Sequence, residues 1–156
     1  MKQFLIASLF CLKVIFCSAQ PADVVMTQNN FNVEFFQYEA IQRPGVSNDN
    51  FEYALMILSE TKKALNQNVD NYNVAHYWNI ATAFSILNES KTNIATAFIK
   101  ATESDGVCEY FESFKGVKNH FSEDIPDIYA QAEQECNETN ELSEATDTQS
   151  HNSTEI

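Results

Sequence analysis

The residues with the most definite chemistry in this 156-residue chain are its 4 cysteines. Cys11 and Cys17 lie in an N-terminal segment that has the features of a removable export signal, whereas Cys108 and Cys136 remain in the mature chain. Two cysteines that reach an oxidising compartment form a disulfide and keep it. We therefore predict a Cys108–Cys136 disulfide, with two independent buried thiols as the alternative.

Residues that support catalysis or metal binding are sparse elsewhere. The 3 histidines, His76, His120 and His151, form neither an HxxxH nor an HExxH pattern. With 3 glycines in the chain, it contains no GxSxG turn and no glycine-rich phosphate loop. A thiol nucleophile would have to stay reduced outside the cytosol. We expect no enzymatic activity, no metal and no cofactor.

Three Asn-x-Ser/Thr triplets are candidate N-glycosylation sites, and they begin at Asn88, Asn137 and Asn152. All of them fall in predicted turns or in the C-terminal tail, where a glycan would reach solvent. In a eukaryotic secretory pathway they would be acceptors, whereas in a bacterium they would have no such role. The triplets leave the source of the chain open.

Residues 1–19 have the three parts of a secretory signal peptide. Lys2 gives the positive start, an apolar stretch of about 14 residues follows, and Cys17-Ser18-Ala19 offers small residues before the cleavage point. The stretch is shorter than the roughly 20 residues that span a bilayer. We expect cleavage after Ala19, a secreted or periplasmic protein, and no membrane span. A bacterial lipoprotein acylated at Cys17 is the alternative.

The charge balance narrows the class of partner. The chain has 22 acidic and 9 basic residues, a formal net charge of −13, and loss of residues 1–19 would make it about −15 by removing 2 lysines. Nucleic acids and anionic lipid surfaces bind proteins through clustered Lys and Arg. We therefore expect no nucleic-acid partner. Ten of the acids lie beyond His120, where Lys and Arg are absent.

The hydrophobic pattern predicts an all-α fold, which the 3 Gly and 3 Pro also favour over a turn-rich β fold. The helical domain is predicted over 49–136, and residues 20–48 are poorly defined apart from a short helix over about 33–42. An Asp49/Glu52 capping box begins the domain. The helix over 74–87 is apolar nearly all round, as expected of a buried central helix. The predicted helices of the domain span about 49–66, 74–87, 91–104, 107–115 and 126–136.

The two cysteines lie at matching ends of the last two predicted helices. Cys108 begins one of them and Cys136 ends the other, so an antiparallel pair of similar length would place these ends side by side. The disulfide would then close a loop of about 29 residues and contribute on the order of 3 kcal/mol.

Beyond Cys136 the composition changes abruptly. Residues 137–156 contain no Lys or Arg, and their hydrophobic residues are Leu142, Ala145 and Ile156. Such a segment cannot bury enough apolar surface to offset the entropy lost on ordering. We predict a disordered acidic tail.

The stretch from about Ala75 to Asp105 resembles one unit of the tetratricopeptide-repeat family. Trp78 falls at the family's helix-A tryptophan, and Phe98 and Ala101 fall at its helix-B aromatic and small positions. The stretch departs from the family pattern at Ser85, Ile94 and Gly106. The resemblance implies a short stack of antiparallel helical hairpins whose concave face binds a protein or peptide. The alternative is a plain helical bundle with the same residues in its core.

The sequence therefore predicts an exported all-α protein that binds a protein or peptide partner and has no catalytic activity. The candidate partner-binding surface surrounds Tyr72, His76 and Tyr77 at the start of the central helix. The alternative is a small secreted helical-bundle ligand or effector of eukaryotic origin, glycosylated at one or more of the three triplets.

The disulfide gives a direct test of the cysteine assignment. Thiol labelling of the non-reduced mature protein should find no free thiol, because Cys108 and Cys136 are expected to form a disulfide bond with each other. Labelling after reduction provides the positive control. Two reactive thiols before reduction would contradict the assignment.

Overall fold

The computed structural model describes residues 24–67, 73–115 and 119–151, and every regular element in these ranges is helical. A 3-10 turn at His120–Glu123 precedes the last helix. This result confirms the all-α prediction, whereas the stacking of tetratricopeptide-like hairpins remains a prediction. The helices of the described ranges are α1 (Phe31–Gln37), α2 (Asn48–Gln67), α3 (Val74–Ile86), α4 (Lys91–Thr102), α5 (Val107–Ser113) and α6 (Pro126–His151).

Several predicted features lie outside the described residues, namely the signal peptide over 1–19, Tyr72 and Asn152. Within the ranges that are described, no helix is both long enough and apolar enough to cross a membrane.

The helix starts show how short polar side chains set the boundaries. Ser90 caps α4 as its place in the sequence suggests, since its hydroxyl accepts a hydrogen bond from the Asn93 backbone N–H at 3.2 Å. The predicted Asp49/Glu52 box is wrong, because α2 begins earlier. Ser47 is its cap, and its Oγ accepts from the Asn50 N–H at 3.2 Å. A side-chain oxygen at this position satisfies one of the backbone donors that a helix start leaves unpaired.

Helix α3 is the central element that its all-round apolar pattern predicts. It packs extensively against α2 on one side and α4 on the other, and it also contacts α5 and the 3-10 turn. Burial on several sides requires apolar residues around most of the helix circumference. The buried residues of α3 are Val74, Tyr77, Trp78, Ile80, Ala81, Ala83 and Phe84.

Trp78 lies at the centre of an aromatic cluster that joins α3 to the C-terminal half of the fold. Trp78 is 3% exposed, and neighbouring ring centroids lie 5.1 to 6.2 Å away, mostly in edge-to-face arrangements. Such pairs add about 0.5–1.5 kcal/mol each beyond the burial of their area. The surrounding rings are Phe98, Tyr110, Phe111, Phe114, Phe121 and Tyr129.

The disulfide between Cys108 and Cys136 is present, as predicted, and the two Cα atoms lie 5.1 Å apart. It joins the start of α5 to the interior of α6. Helix α6 does not end at Cys136 but continues to His151. No Gly or Pro follows Pro126 to interrupt the helix. Side chains one turn apart also form hydrogen bonds beside the disulfide, such as the one from Gln134 Nε2 to Glu138 Oε1 at 2.8 Å. The disordered tail predicted for 137–156 is therefore not confirmed.

The N-terminal segment, which the sequence leaves poorly defined, packs into the same core as the helical domain. Met26, Phe31 and Phe35 are fully buried there. Its helix ends at Gln37 rather than near residue 42, because Tyr38 turns into an extended conformation with φ −64° and ψ 129°. The phenol of Tyr38 is then directed into the protein, where it contacts Glu89.

The aromatic cluster makes the single tryptophan a reporter of folding. Phe121→Ala should lower the free energy of unfolding by about 3–5 kcal/mol, because it opens a cavity beside Trp78 in a fully buried site. Urea unfolding followed by Trp78 fluorescence measures the loss. The control Phe36→Ala removes a ring that is exposed and should cost less than about 1 kcal/mol. Equal effects of the two variants would contradict the central place of this cluster.

Candidate partner-binding surfaces

The structure gives His76 and Tyr77 of the predicted binding surface local structural roles, whereas Tyr72 lies outside the described residues. Asn73 and His76 form a capping box at the start of α3, in which the Asn73 N–H donates to His76 Nδ1 and the His76 N–H donates to Asn73 Oδ1, both at 3.4 Å. Tyr77 is only 7% exposed, and its ring packs edge-on against Phe31. Its hydroxyl donates to Asn32 Oδ1 at 3.2 Å. The ring of Tyr77 is therefore part of the core.

Burial of Tyr77 also changes its acidity. Removal from water raises the pKa of the phenol, and the hydrogen bond to Asn32 opposes this rise. The phenol stays neutral in the physiological range, and its contact with Asn32 attaches α1 to α3. The hydroxyl of Tyr77 thus makes a stabilising contact between two helices.

A buried carboxylate lies at the turn between α3 and α4. The Glu89 side chain is 2% exposed, and its Oε1 accepts hydrogen bonds from the Tyr38 hydroxyl at 2.5 Å and from Arg43 Nη2 at 2.8 Å. Its Oε2 accepts from Asn93 Nδ2 at 3.3 Å. A buried charge is tolerated only when it is paired and hydrogen-bonded in this way. The turn is thereby attached to the N-terminal segment.

Asn93 makes the second attachment of the same segment. Its side chain is fully buried, with Oδ1 accepting from the Met26 N–H at 3.0 Å and Nδ2 donating to the Val24 carbonyl at 3.0 Å. One side-chain amide thus satisfies a backbone donor and a backbone acceptor, as a neighbouring strand would. Neither Asn93 nor Glu89 was predicted from the sequence. The available signal was the position of Asn93 directly before the apolar residues of α4 that begin at Ile94.

The triplet Asn88-Glu89-Ser90 has a structural explanation at each position. Asn88 has a φ of +55°, the left-handed conformation that follows many helix ends and that Asn adopts more readily than most residues. The Glu89 N–H then bonds back to the Phe84 carbonyl at 2.9 Å. Glu89 is the buried carboxylate and Ser90 caps α4. The side chains of Asn88 and of Asn137 are exposed.

A groove of about 240 Å³ lies beside α2, and we call it the α2 groove. Tyr38 and Ala40 line one side of it, and Leu55, Leu58, Ser59 and Lys62 of α2 line the other. Four of the six residues are thus aliphatic or aromatic, with a hydroxyl and an ammonium group among them. This composition is typical of sites that bury an apolar group and fix its orientation with few polar contacts.

Lys62 holds the wall of the α2 groove in place. Its Nζ donates at the C-terminal end of α1 to the Tyr38 carbonyl at 2.6 Å and to the Phe36 carbonyl at 3.3 Å, and it lies 5.2 Å from the centroid of the Phe35 ring. Partial burial lowers the pKa of this ammonium, and the nearby Glu39 raises it in part. The cation therefore fixes the backbone that forms one side of the groove.

Several exposed apolar side chains belong to the segments that form the α2 groove. Phe36, Ile41, Tyr53 and Met56 are more than a third exposed and lie in the stretch from α1 to the middle of α2, while Val24, Val25 and Val33 are also exposed. Isolated exposed apolar residues are ordinary, whereas an apolar groove between two segments is a feature of interaction surfaces. The α2 groove is therefore the strongest candidate surface.

A second groove of about 190 Å³ lies along the disulfide, and we call it the disulfide groove. Helix α5 contributes Val107, Cys108 and Phe111, and helix α6 contributes Ala132, Glu135 and Cys136. Glu135 is the residue with a charged side chain among these. In the described ranges, no three His, Cys, Asp or Glu side chains are grouped so that they could hold a metal ion.

With this geometry the described residues form an all-α domain that contains a disulfide, and the α2 groove and the disulfide groove lie on its surface. No family model matches it, and neither a curated protein nor a solved structure gives a significant match.

The buried carboxylate gives a stability test. Glu89→Gln should lower the free energy of unfolding by about 2–3 kcal/mol, because Arg43 loses its ionic partner at a nearly dry site. Thermal denaturation followed by circular dichroism measures this. The matched control Glu112→Gln breaks an exposed pair with Lys115 and should cost less than about 1 kcal/mol.

The same variant should loosen the N-terminal segment selectively. Chymotrypsin should cleave after Tyr38 faster in Glu89→Gln than in the unaltered chain, since the phenol loses its charged acceptor. If Glu112→Gln changes stability and cleavage as much as Glu89→Gln does, the role assigned to the buried carboxylate is wrong.

Proposed function

We propose that this chain is an exported protein that acts by binding a protein or peptide partner, and that the α2 groove is its binding surface. The observation that carries the proposal is the apolar groove itself, with Leu55 and Leu58 in its lining and the exposed Phe36, Ile41 and Met56 on the segments that form it. Burial of such surface contributes about 25 cal/mol per Å² and drives most protein association.

Export is supported by two independent features. The disulfide fits an extracellular or periplasmic location, because a Cys108–Cys136 bond persists where thiols are oxidised. The sequence of residues 1–19 has the pattern of a signal peptide. Neither feature depends on the grooves, so export and partner binding can be tested separately.

The binding proposal does not depend on the resemblance to tetratricopeptide repeats. Trp78 and Phe98 are in contact across the α3–α4 pair, with ring centroids 5.7 Å apart, and Ala101 is fully buried. A repeat unit and a plain helical bundle would both place these residues in a core. The argument for the α2 groove comes from its lining and from the exposed apolar residues on the segments that form it.

A secreted, glycosylated ligand or effector is the second candidate function. It is favoured by the exposure of Asn88 and Asn137, each in an Asn-x-Ser/Thr triplet. A mass decrease of the native protein on treatment with an N-glycosidase would support it. An unchanged mass, equal to that of the bare polypeptide, would remove its supporting observation.

Site-specific crosslinking in the native compartment tests the α2 groove. A benzophenone amino acid at Ser59, which lines the groove and is exposed, should give a discrete crosslinked adduct. The same probe at Asp127, exposed at the start of α6, should not. An excess of the unlabelled chain should compete for the adduct, whereas a Ser59→Phe chain should compete at least about fivefold less well, because the ring fills the groove.

The fold of each variant is checked by the emission of Trp78, which lies in the buried aromatic cluster. Identical adducts from the two probe positions, or equal competition by the two chains, would refute the assignment of the α2 groove as a binding surface.

A further inference from the structure

The disulfide groove is a different kind of surface from the α2 groove. Its lining includes the disulfide itself and side chains that are nearly buried, Phe111 and Ala132 among them. At about 190 Å³ it is smaller than the roughly 300–1,000 Å³ of typical small-molecule sites, so it is suited to one side chain of a partner rather than to a cofactor.

The charges around the disulfide groove are almost all negative. Between residues 101 and 139 the chain has 10 acidic residues and 2 lysines. Glu135 lines the groove directly, and several other acids are immediate chain neighbours of lining residues. These neighbours are Glu103, Glu109, Glu112, Glu133 and Glu138. By comparison, residues 24–67, which form the α2 groove, have 5 acids against 3 basic residues.

Part of this negative charge is compensated locally, and part of it is not. Lys100 pairs with Glu103 at 3.0 Å, and Lys115 pairs with Glu112 at 3.1 Å. Glu135, in contrast, accepts a hydrogen bond from Gln131 Nε2 at 2.9 Å. An amide is a neutral donor, so it orients the carboxylate of Glu135 and leaves its charge in place. Glu138 and Gln134 repeat this arrangement one turn apart.

We propose that the disulfide groove binds a Lys or Arg side chain of a cationic peptide segment. The aliphatic stem of that side chain lies over Val107, Phe111 and Ala132, and its charged end meets Glu135. Long basic side chains cover apolar surface with their stems in this way while the charge stays near water or a carboxylate. The acidic surroundings raise the local concentration of cationic segments and exclude anionic ones.

Two threonines of the groove favour a peptide over a free cation. The Thr102 hydroxyl donates to the Ile99 carbonyl at 2.8 Å, and the Thr139 hydroxyl donates to the Glu135 carbonyl at 2.8 Å. Their protons are thereby engaged within the helices, and each oxygen retains acceptor capacity. A peptide backbone brings N–H donors that such acceptors can receive.

Binding of a short labelled peptide tests this proposal. The probe is fluorescein-labelled Gly-Ser-Leu-Lys-Leu-Ser-Gly, with matched peptides that carry norleucine or Glu in place of the single Lys. Fluorescence anisotropy with the purified oxidised chain should show saturable binding of the lysine peptide. The norleucine peptide should bind at least about fivefold more weakly, since it keeps the stem and loses the charge.

Matched variants of α6 separate the groove from the overall charge. Glu135→Gln should weaken binding of the lysine peptide at least about fivefold, and Ala132→Leu should weaken it by occupying the groove. Glu133→Gln removes the same charge from an exposed position of the same helix that does not line the groove, and should leave binding unchanged. Trp78 fluorescence and thiol labelling verify that each variant is folded and oxidised.

The proposal is overturned by any of three results. These are the absence of saturable binding, equal binding of the norleucine peptide, or equal weakening by Glu133→Gln and Glu135→Gln. The Ser59→Phe variant of the α2 groove should bind the lysine peptide normally. Any of the three results would therefore refute the proposal for the disulfide groove without bearing on the proposed function of the α2 groove.

Discussion

The N-terminal half of the structure depends on the hydrogen bonds that the buried carboxylate of Glu89 accepts. It lies at the tight turn between α3 and α4, and it receives Tyr38 and Arg43 from a segment that has little regular structure of its own. A carboxylate removed from water must find such partners, so the folded chain has to bring this segment to the turn. Asn93 strengthens the attachment with hydrogen bonds to the backbone of residues 24 and 26.

The C-terminal half is held by a different kind of force. Trp78 and the rings around it supply apolar burial, and the Cys108–Cys136 bond ties α5 to α6 beside them. Short helices such as α5, with 7 residues, are marginal alone and depend on contacts of this type. The two halves share α3, whose nearly continuous apolar surface lets it pack against both.

The sequence predicted the elements best where one local signal was sufficient. The apolar circumference of α3, the Ser90 cap and the cysteine pair each appear in the structure as expected. The start of α2 was misplaced because Ser47 and Asp49 are both good cap residues, and only the observed hydrogen bond distinguishes them. The burial of Tyr77 was not predicted, because an amphipathic tyrosine is equally suited to a surface and to a core with one polar contact.

By itself, then, the sequence determined the helical class, the disulfide and the acidic character of the C-terminal half, because these follow from composition and from spacing along the chain. The tertiary structure alone decided which polar residues are buried and which apolar residues are exposed. Glu89 and Asn93 are buried by partners 46 to 69 residues away, and the α2 groove is formed by two segments brought together by Lys62. Contacts between residues so far apart leave no periodic pattern in the sequence, since each depends on how the whole chain packs.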